Sequence, residues 1–202
     1  MKLDSDNLAE IVVGARGWLH PSWEMQFYPD DLPTDWKLGY YANEYRCVLV
    51  PAEQWIEVDD ELLEQWADDA SEDFSLFFEL PETLQPLPES IEVLGDVLAG
   101  FVASTQAEQV WRPALADWPI WVPLGDCHTV MNCYARHGQN HPSLVVIDTG
   151  EVGTDLADLR AYIESVLVDT PKSEKIHFII GGEAPSLETM QNVTIIAELI
   201  GA

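Results

Sequence analysis

Polar side chains follow closely on several short apolar runs of this chain. Arg16, Trp18 and His20 come after Ile11-Val12-Val13-Gly14, and Glu53 and Gln54 come after Cys47-Val48-Leu49-Val50. Glu79 closes the run Phe74–Phe78, and Asp126 and His128 follow Ile120-Trp121-Val122. Asp148 closes Leu144–Ile147, and Gly181, Gly182 and Glu183 follow Ile176–Ile180. Two carboxylates facing one ligand can divide the work of general acid and general base, the chemistry of sugar hydrolysis among others. Glu79, Asp148 and His20 are the catalytic candidates for such work. Arg16, Trp18, His20, Trp23, Tyr28 and Glu53 are the ligand-binding candidates, the aromatic rings serving as stacking walls. The competing structural roles are equally concrete: Trp18, Trp23 and Tyr28 would pack a loop, and the acids would be solvated or cap helices.

Other chemistries have less support. Cys133, His137 and His141 stand four apart, and Cys127 or His128 could complete a soft ligand set on one helix face. Gly138 interrupts such a helix, and the spacing matches no metal motif, so neither metal nor cofactor is expected. Gly181-Gly182 ahead of a helix could present backbone amides to a phosphate, but Glu183 beside them opposes an anion. There is no G-x-G-x-x-G, no P-loop and no G-x-S-x-G in the chain.

The elements that would position these groups alternate. Strands are expected at 11–14, 47–50, 74–80, 120–122, 144–147 and 176–180. Helices are expected at 35–45, 59–70, 89–103, 154–168 and 186–200, with a shorter one in 104–118 broken at Pro113. A further short helix, capped by Asp126 or Thr129, is expected to stop at Gly138. The strands read as continuous apolar runs, the pattern of strands buried on both faces and paired in parallel. An α/β fold follows, as a barrel or a doubly wound sheet.

Composition narrows the partners. The 202 residues carry 36 acids and 9 bases, a net charge of −27, and 23 of the acids fall within residues 1–100. Such a charge repels phosphate backbones and anionic membranes, so neither nucleic acid nor a membrane is an expected partner. From Glu57 to Asp73 there are nine acids and no base. This stretch is either a solvated helix face or a surface for a basic protein partner. No apolar run reaches the roughly 18 residues of a spanning helix, and the first residues lack the pattern of a secretory signal. Three cysteines make no disulfide framework, so reduced thiols and a cytoplasmic location are expected.

The opening segment has a recognisable pattern: Gly14-Ala15-Arg16-Gly17-Trp18-Leu19-His20-Pro21-Ser22-Trp23, then Phe27-Tyr28-Pro29 and Leu32-Pro33. It resembles the YecE-like family (domain of unknown function seventy-two), whose members read G-T-S-G-W-x-Y-x-x-W-x-G-x-F-Y-P and then L-P. Tyr40-Tyr41-Ala42 with Tyr45, and Phe74–Phe78, are similar to later family segments. The resemblance implies a TIM-barrel-like (β/α) fold and assigns no activity. Polar family positions are replaced here: Leu49 and Pro51 stand where the family carries acidic and amide residues, and Glu79 stands where it carries a lysine.

A complete (β/α)8 barrel takes about 250 residues. The expectation is therefore one domain over residues 1–202, an incomplete or open barrel of about six to seven strands. Its expected function is a small-molecule pocket at the C-terminal strand ends, with or without catalysis. The alternatives are an adaptor acting through residues 57–73 and a hydrolase of a sugar or phosphoester.

Overall fold

The computed structural model describes residues 8–71, 73–128, 131–148 and 155–201. Eight strands run in chain order around a closed barrel. They are β1 (Glu10–Arg16), β2 (Cys47–Val50), β3 (Ser75–Glu79), β4 (Leu98–Val102), β5 (Ile120–His128), β6 (Met131–Arg136), β7 (Leu144–Asp148) and β8 (Lys175–Gly181). Closure comes from β8 pairing in parallel with β1 over Glu10↔Lys175 to Ala15↔Ile180. Among the described residues six α-helices connect and cover the strands: α1 (Lys37–Glu44), α2 (Ala52–Trp55), α3 (Asp60–Asp69), α4 (Thr105–Trp111), α5 (Leu156–Asp169) and α6 (Leu187–Ile200).

The barrel is closed and eight-stranded, not open with six or seven strands. Two segments account for the difference. Residues 89–103 were expected to be helical because Ile91, Leu94, Leu98 and Phe101 recur at helical spacing. The chain instead makes a 3-10 stretch over Ile91–Val97, interrupted at Gly95 (φ 49°, ψ −130°), and then strand β4. A short apolar run buried on both faces carries no periodicity that separates strand from helix. Gly100 makes the strand fit: a Cβ there would lie 2.4 Å from the carbonyl oxygen of Pro119.

The second segment is the expected helix ending at Gly138. It is a strand, β6, paired antiparallel with both β5 and β7. Met131, Cys133 and Ala135 are buried, whereas Asn132 and Arg136 are exposed and Tyr134 is half-buried. That alternation has a period of two, the signature of a strand. Thr129, the other proposed cap, and Thr154, expected to cap the helix before β8, lie outside the described residues; Asp155 caps α5 instead, accepting from the Ala157 N–H. A parallel crossover needs a dozen or more residues, whereas antiparallel neighbours need only a turn. Reversing one strand therefore lets eight strands close within 202 residues.

Two apolar layers hold the barrel. Val12, Cys47, Leu49, Phe77, Val102, Trp121, Leu144 and Ile179 form one cluster, which alternates along the strands with the larger cluster packed under the helices. At Gly14, β1 passes so close to β2 that a Cβ would fall 2.0 Å from the carbonyl oxygen of Cys47. Beside it, the buried Tyr41 hydroxyl accepts from the Ala15 N–H at 2.8 Å and donates to the Cys47 carbonyl at 2.9 Å. Four tryptophans of the core are bulky fillers whose single polar atom finds a partner. Trp23 donates to the Pro185 carbonyl, Trp55 to Glu79, Trp111 to Pro81 and Trp121 to the Ser143 hydroxyl. Cys47 is a buried free thiol, but Cys133 is disulfide-bonded, a departure from the expectation of reduced cysteines. Among the described residues no helix is long and apolar enough to cross a membrane.

Candidate functional site at the barrel mouth

The strand ends converge as barrel geometry requires. Arg16 ends β1, Glu79 ends β3, Asp148 ends β7 and Gly181 ends β8. Because β6 runs against its neighbours, its beginning lies at this same end, and it contributes Asn132 and Tyr134. These side chains, with Val146 and the Gly182-Glu183-Ala184 segment, line a cavity of about 690 Å³. Barrel proteins of this kind place their sites at this face.

Arg16 organises the floor. Its Nη2 lies 2.5 Å from Glu79 Oε2 and 3.8 Å from Glu53 Oε1. Glu53 is far more exposed than the other two, with 70% of its side chain accessible, so it belongs to the rim. Tyr134 stands near Glu79: burial first, and then the Glu79 charge, raise its phenol above the ordinary value. It is therefore a neutral hydroxyl near neutral pH. Gly181 leaves room for a neighbour, since a Cβ there would meet Val146 Cγ1 at 3.1 Å. Gly182 takes a left-handed conformation (φ 97°) that a side chain would strain.

His20 sits behind this floor and is not among the side chains lining the cavity. Its Nε2 lies 2.9 Å from the Arg16 carbonyl oxygen, which can only accept, so Nε2 carries the hydrogen and donates. Burial lowers its pKa, opposed by nearby backbone carbonyls including those of Arg16 and Gly17. The ring tilts against Trp23 with centroids 4.6 Å apart. His20 thus props the Arg16 backbone.

The three aromatic candidates are buried and do not line the mouth cavity. Trp18 packs edge-on against Trp66 at 5.0 Å, and Trp23 stacks parallel to Tyr41 at 6.1 Å. Tyr28 donates to the Trp18 carbonyl at 2.7 Å. The Tyr28 hydroxyl ties the first loop to itself, and the Trp23 ring nitrogen ties it to the Pro185 carbonyl beyond β8. Asn132 and Tyr134 are the lining residues that sequence reasoning missed. The strict alternation Met131-Asn-Cys-Tyr-Ala-Arg136 was the signal that could have placed them on a strand.

Cys133 lies on β6 and His137 and His141 beyond it, so they do not share a helix face. Among the described residues no group of three or more His, Cys, Asp or Glu is placed to hold a metal ion. The side chains of Asp126 and His128 lie outside the described residues. On the acidic stretch, Asp59 caps α3 by accepting from the Leu62 N–H at 2.9 Å, and Asp60 accepts from Ser90 Oγ at 2.5 Å.

Closed barrel, helical surround and a polar mouth at the C-terminal strand ends together define a TIM-barrel-like protein with one reversed strand. The sequence model described as "Protein of unknown function DUF72" matches residues 12–119, more than half of the chain. The chain belongs to that family. It is similar in fold to a DUF72 family protein from Enterococcus faecalis V583, with a TM-score of 0.57 and 13% identity over 95% of this chain and 96% of that one. It is also similar to a DUF72 family protein from Thermotoga maritima MSB8, with a TM-score of 0.53 and 11% identity over 96% of this chain and 100% of that one. No curated protein matches the chain.

Proposed function

We propose that the barrel mouth binds a small polar molecule that is neutral or cationic. One observation carries this: Arg16, Glu79, Asn132, Tyr134 and Asp148 come from four different strands yet line one cavity. A concave site with a few convergent polar groups is the usual form of a ligand pocket. The charge of the lining selects the ligand. Among the described lining residues, Arg16 is the only cation, and Glu79, Asp148 and Glu183 are the acids. Its charge is already engaged by Glu79 at 2.5 Å. A phosphoester would meet three acidic residues against one guanidinium, whereas hydroxyls or an ammonium group would find acceptors.

The role is binding in preference to hydrolysis. Glu79 is held by Arg16 in an ion pair that fixes it as part of the binding surface. The supporting experiment is a thermal-shift panel of neutral monosaccharides, polyols, primary amines and phosphomonoesters. Stabilisation by a neutral or cationic compound, lost in Asp148→Asn, is expected. Stabilisation by phosphomonoesters alone would overturn the proposal.

A further inference from the structure

A second cavity, of about 230 Å³, lies at the end of the barrel opposite the mouth. It sits between the segment after α4, the start of β5 and the end of β6, where the His137 N–H donates to the Ile120 carbonyl at 2.7 Å. Its charge balance reverses that of the mouth. The chain has 9 bases against 36 acids, yet Arg112 and Arg136 both line this cavity with His137, and Asp117 is the one acid among the lining residues. Arg112 is already engaged: it pairs with Glu108, whose side chain is only 16% accessible. Arg112 Nη2 also lies 2.7 Å from His137 Nδ1, and Glu108 Oε1 lies 3.3 Å from the same atom. A guanidinium can only donate, so Nδ1 accepts and the ring hydrogen sits on Nε2. Arg136 differs. It is exposed, and no carboxylate among the described residues pairs with it, Asp117 included. The remaining walls are largely apolar: Leu115 and Ile120 are buried, and Trp118 is half-buried.

We propose that this cavity binds a small organic anion with one carboxylate and an apolar body. Arg136 meets the carboxylate, because a planar guanidinium matches its two oxygens. Arg112 and His137 add donors at the same cavity, and Trp118 and Leu115 receive the apolar body. Asp117 opposes a second negative charge, so a phosphate dianion is disfavoured. The site differs from the mouth in its lining residues and in the charge of the ligand it selects.

The test follows backbone amide chemical shifts of the isotope-labelled full chain during titration with benzoate, benzamide and inorganic phosphate. Benzoate is expected to give saturable shifts at Trp118, Ile120 and His137. Benzamide, which keeps the ring and loses the charge, should bind at least about fivefold more weakly. Arg136→Gln, a change at an exposed side chain, should weaken benzoate binding by at least about fivefold. The comparison of benzoate with benzamide uses the wild-type chain, so it decides the matter even if the variant folds poorly. No saturable benzoate shifts up to tens of millimolar, equal affinities for benzoate and benzamide, or unchanged benzoate affinity in folded Arg136→Gln would overturn the proposal. So would phosphate binding more tightly than benzoate at these residues, or benzoate shifts confined to Arg16, Asn132 and Gly182 at the mouth.

Discussion

Arg16 at the end of β1 and Glu79 at the end of β3 form an ion pair across the barrel mouth, with Nη2 2.5 Å from Oε2. The strand of β2 lies between them, so the pair bridges two strands that are not neighbours. About a third of each side chain is accessible, which places the pair in a screened environment. A double-mutant cycle with Arg16→Leu and Glu79→Gln should give a coupling of at most about 1 kcal/mol by urea unfolding. A much larger coupling would mean that the pair serves stability before it serves a ligand.

Tyr41 predicts the opposite balance. Its hydroxyl satisfies both the Ala15 N–H and the Cys47 carbonyl, and all three groups are buried. Tyr41→Phe leaves two buried backbone groups unpaired, at about 1–3 kcal/mol each. A loss of about 2–4 kcal/mol in unfolding free energy is expected. A loss below about 0.5 kcal/mol would show that the strands close without this bridge.

His177, inside the barrel on β8, sets a pH window. Burial, its largest influence, lowers its pKa to about 4, and Lys175 adds to the effect; the nearby Ser143 carbonyl partly offsets it. The ring packs edge-on to Phe77 at 4.8 Å. The unfolded chain, with an ordinary histidine near 6.5, binds this proton first. Stability from His177 is therefore complete above about pH 6.5 and is lost progressively as pH falls to about 4. The shift corresponds to at most about 3 kcal/mol, and the ring's partial accessibility brings the expectation to about 2 kcal/mol. Comparing urea unfolding of wild type and His177→Leu at pH 7.0 and 4.5 isolates the effect from the titrating carboxylates. Parallel pH profiles for the two proteins would contradict it.

Much of the scaffold was legible in the sequence because its signals were local. The segments Cys47–Val50, Leu144–Ile147 and Ile176–Ile180 are apolar runs of strand length bounded by turn residues, and each is a strand. The last helix was readable from its cap: Ser186 accepts from the Thr189 N–H, and Gly201 ends it in a left-handed conformation. Strand β4 was not readable, since its apolar spacing fits a helix and only the close approach of Pro119 to Gly100 selects a strand. The reversal of β6 depends on pairing partners distant in sequence, so Asn132 and Tyr134 were invisible as mouth residues. Arg16, Glu79 and Asp148 were legible because each closes a recognisable strand. For Trp18, Trp23 and Tyr28 the sequence left loop packing and pocket walling side by side, since an aromatic residue looks the same in either role.

Trp23 turns that distinction into a measurement. It is almost fully buried, stacked on Tyr41, and donates to the Pro185 carbonyl at 2.9 Å. Trp23→Phe should lower unfolding free energy by about 1–3 kcal/mol through lost packing and an unpaired carbonyl. The folded fraction should keep the affinity for any compound bound at the proposed mouth site within about twofold. A large affinity loss without a stability loss would return Trp23 to the ligand.

The charge of −27 makes stability depend on salt. Exposed acids repel one another across distances that salt screens to about 10 Å at 0.1 M. The melting temperature should rise as sodium chloride increases from 10 to 300 mM. A fall over that range would mean that attractive pairs such as Arg16–Glu79 outweigh the repulsion.

The mouth itself is tested most directly by mapping where small polar molecules bind. Backbone amide chemical shifts of isotope-labelled protein would be followed during titration with a neutral monosaccharide and with a small primary amine, each to millimolar concentration. Saturable shifts concentrated at Arg16, Asn132, Gly181 and Gly182, and absent at Glu10 and Lys175 on the opposite face, are the predicted result. Saturable shifts confined to the opposite face, or none for either probe while a phosphomonoester perturbs the mouth, would contradict the account.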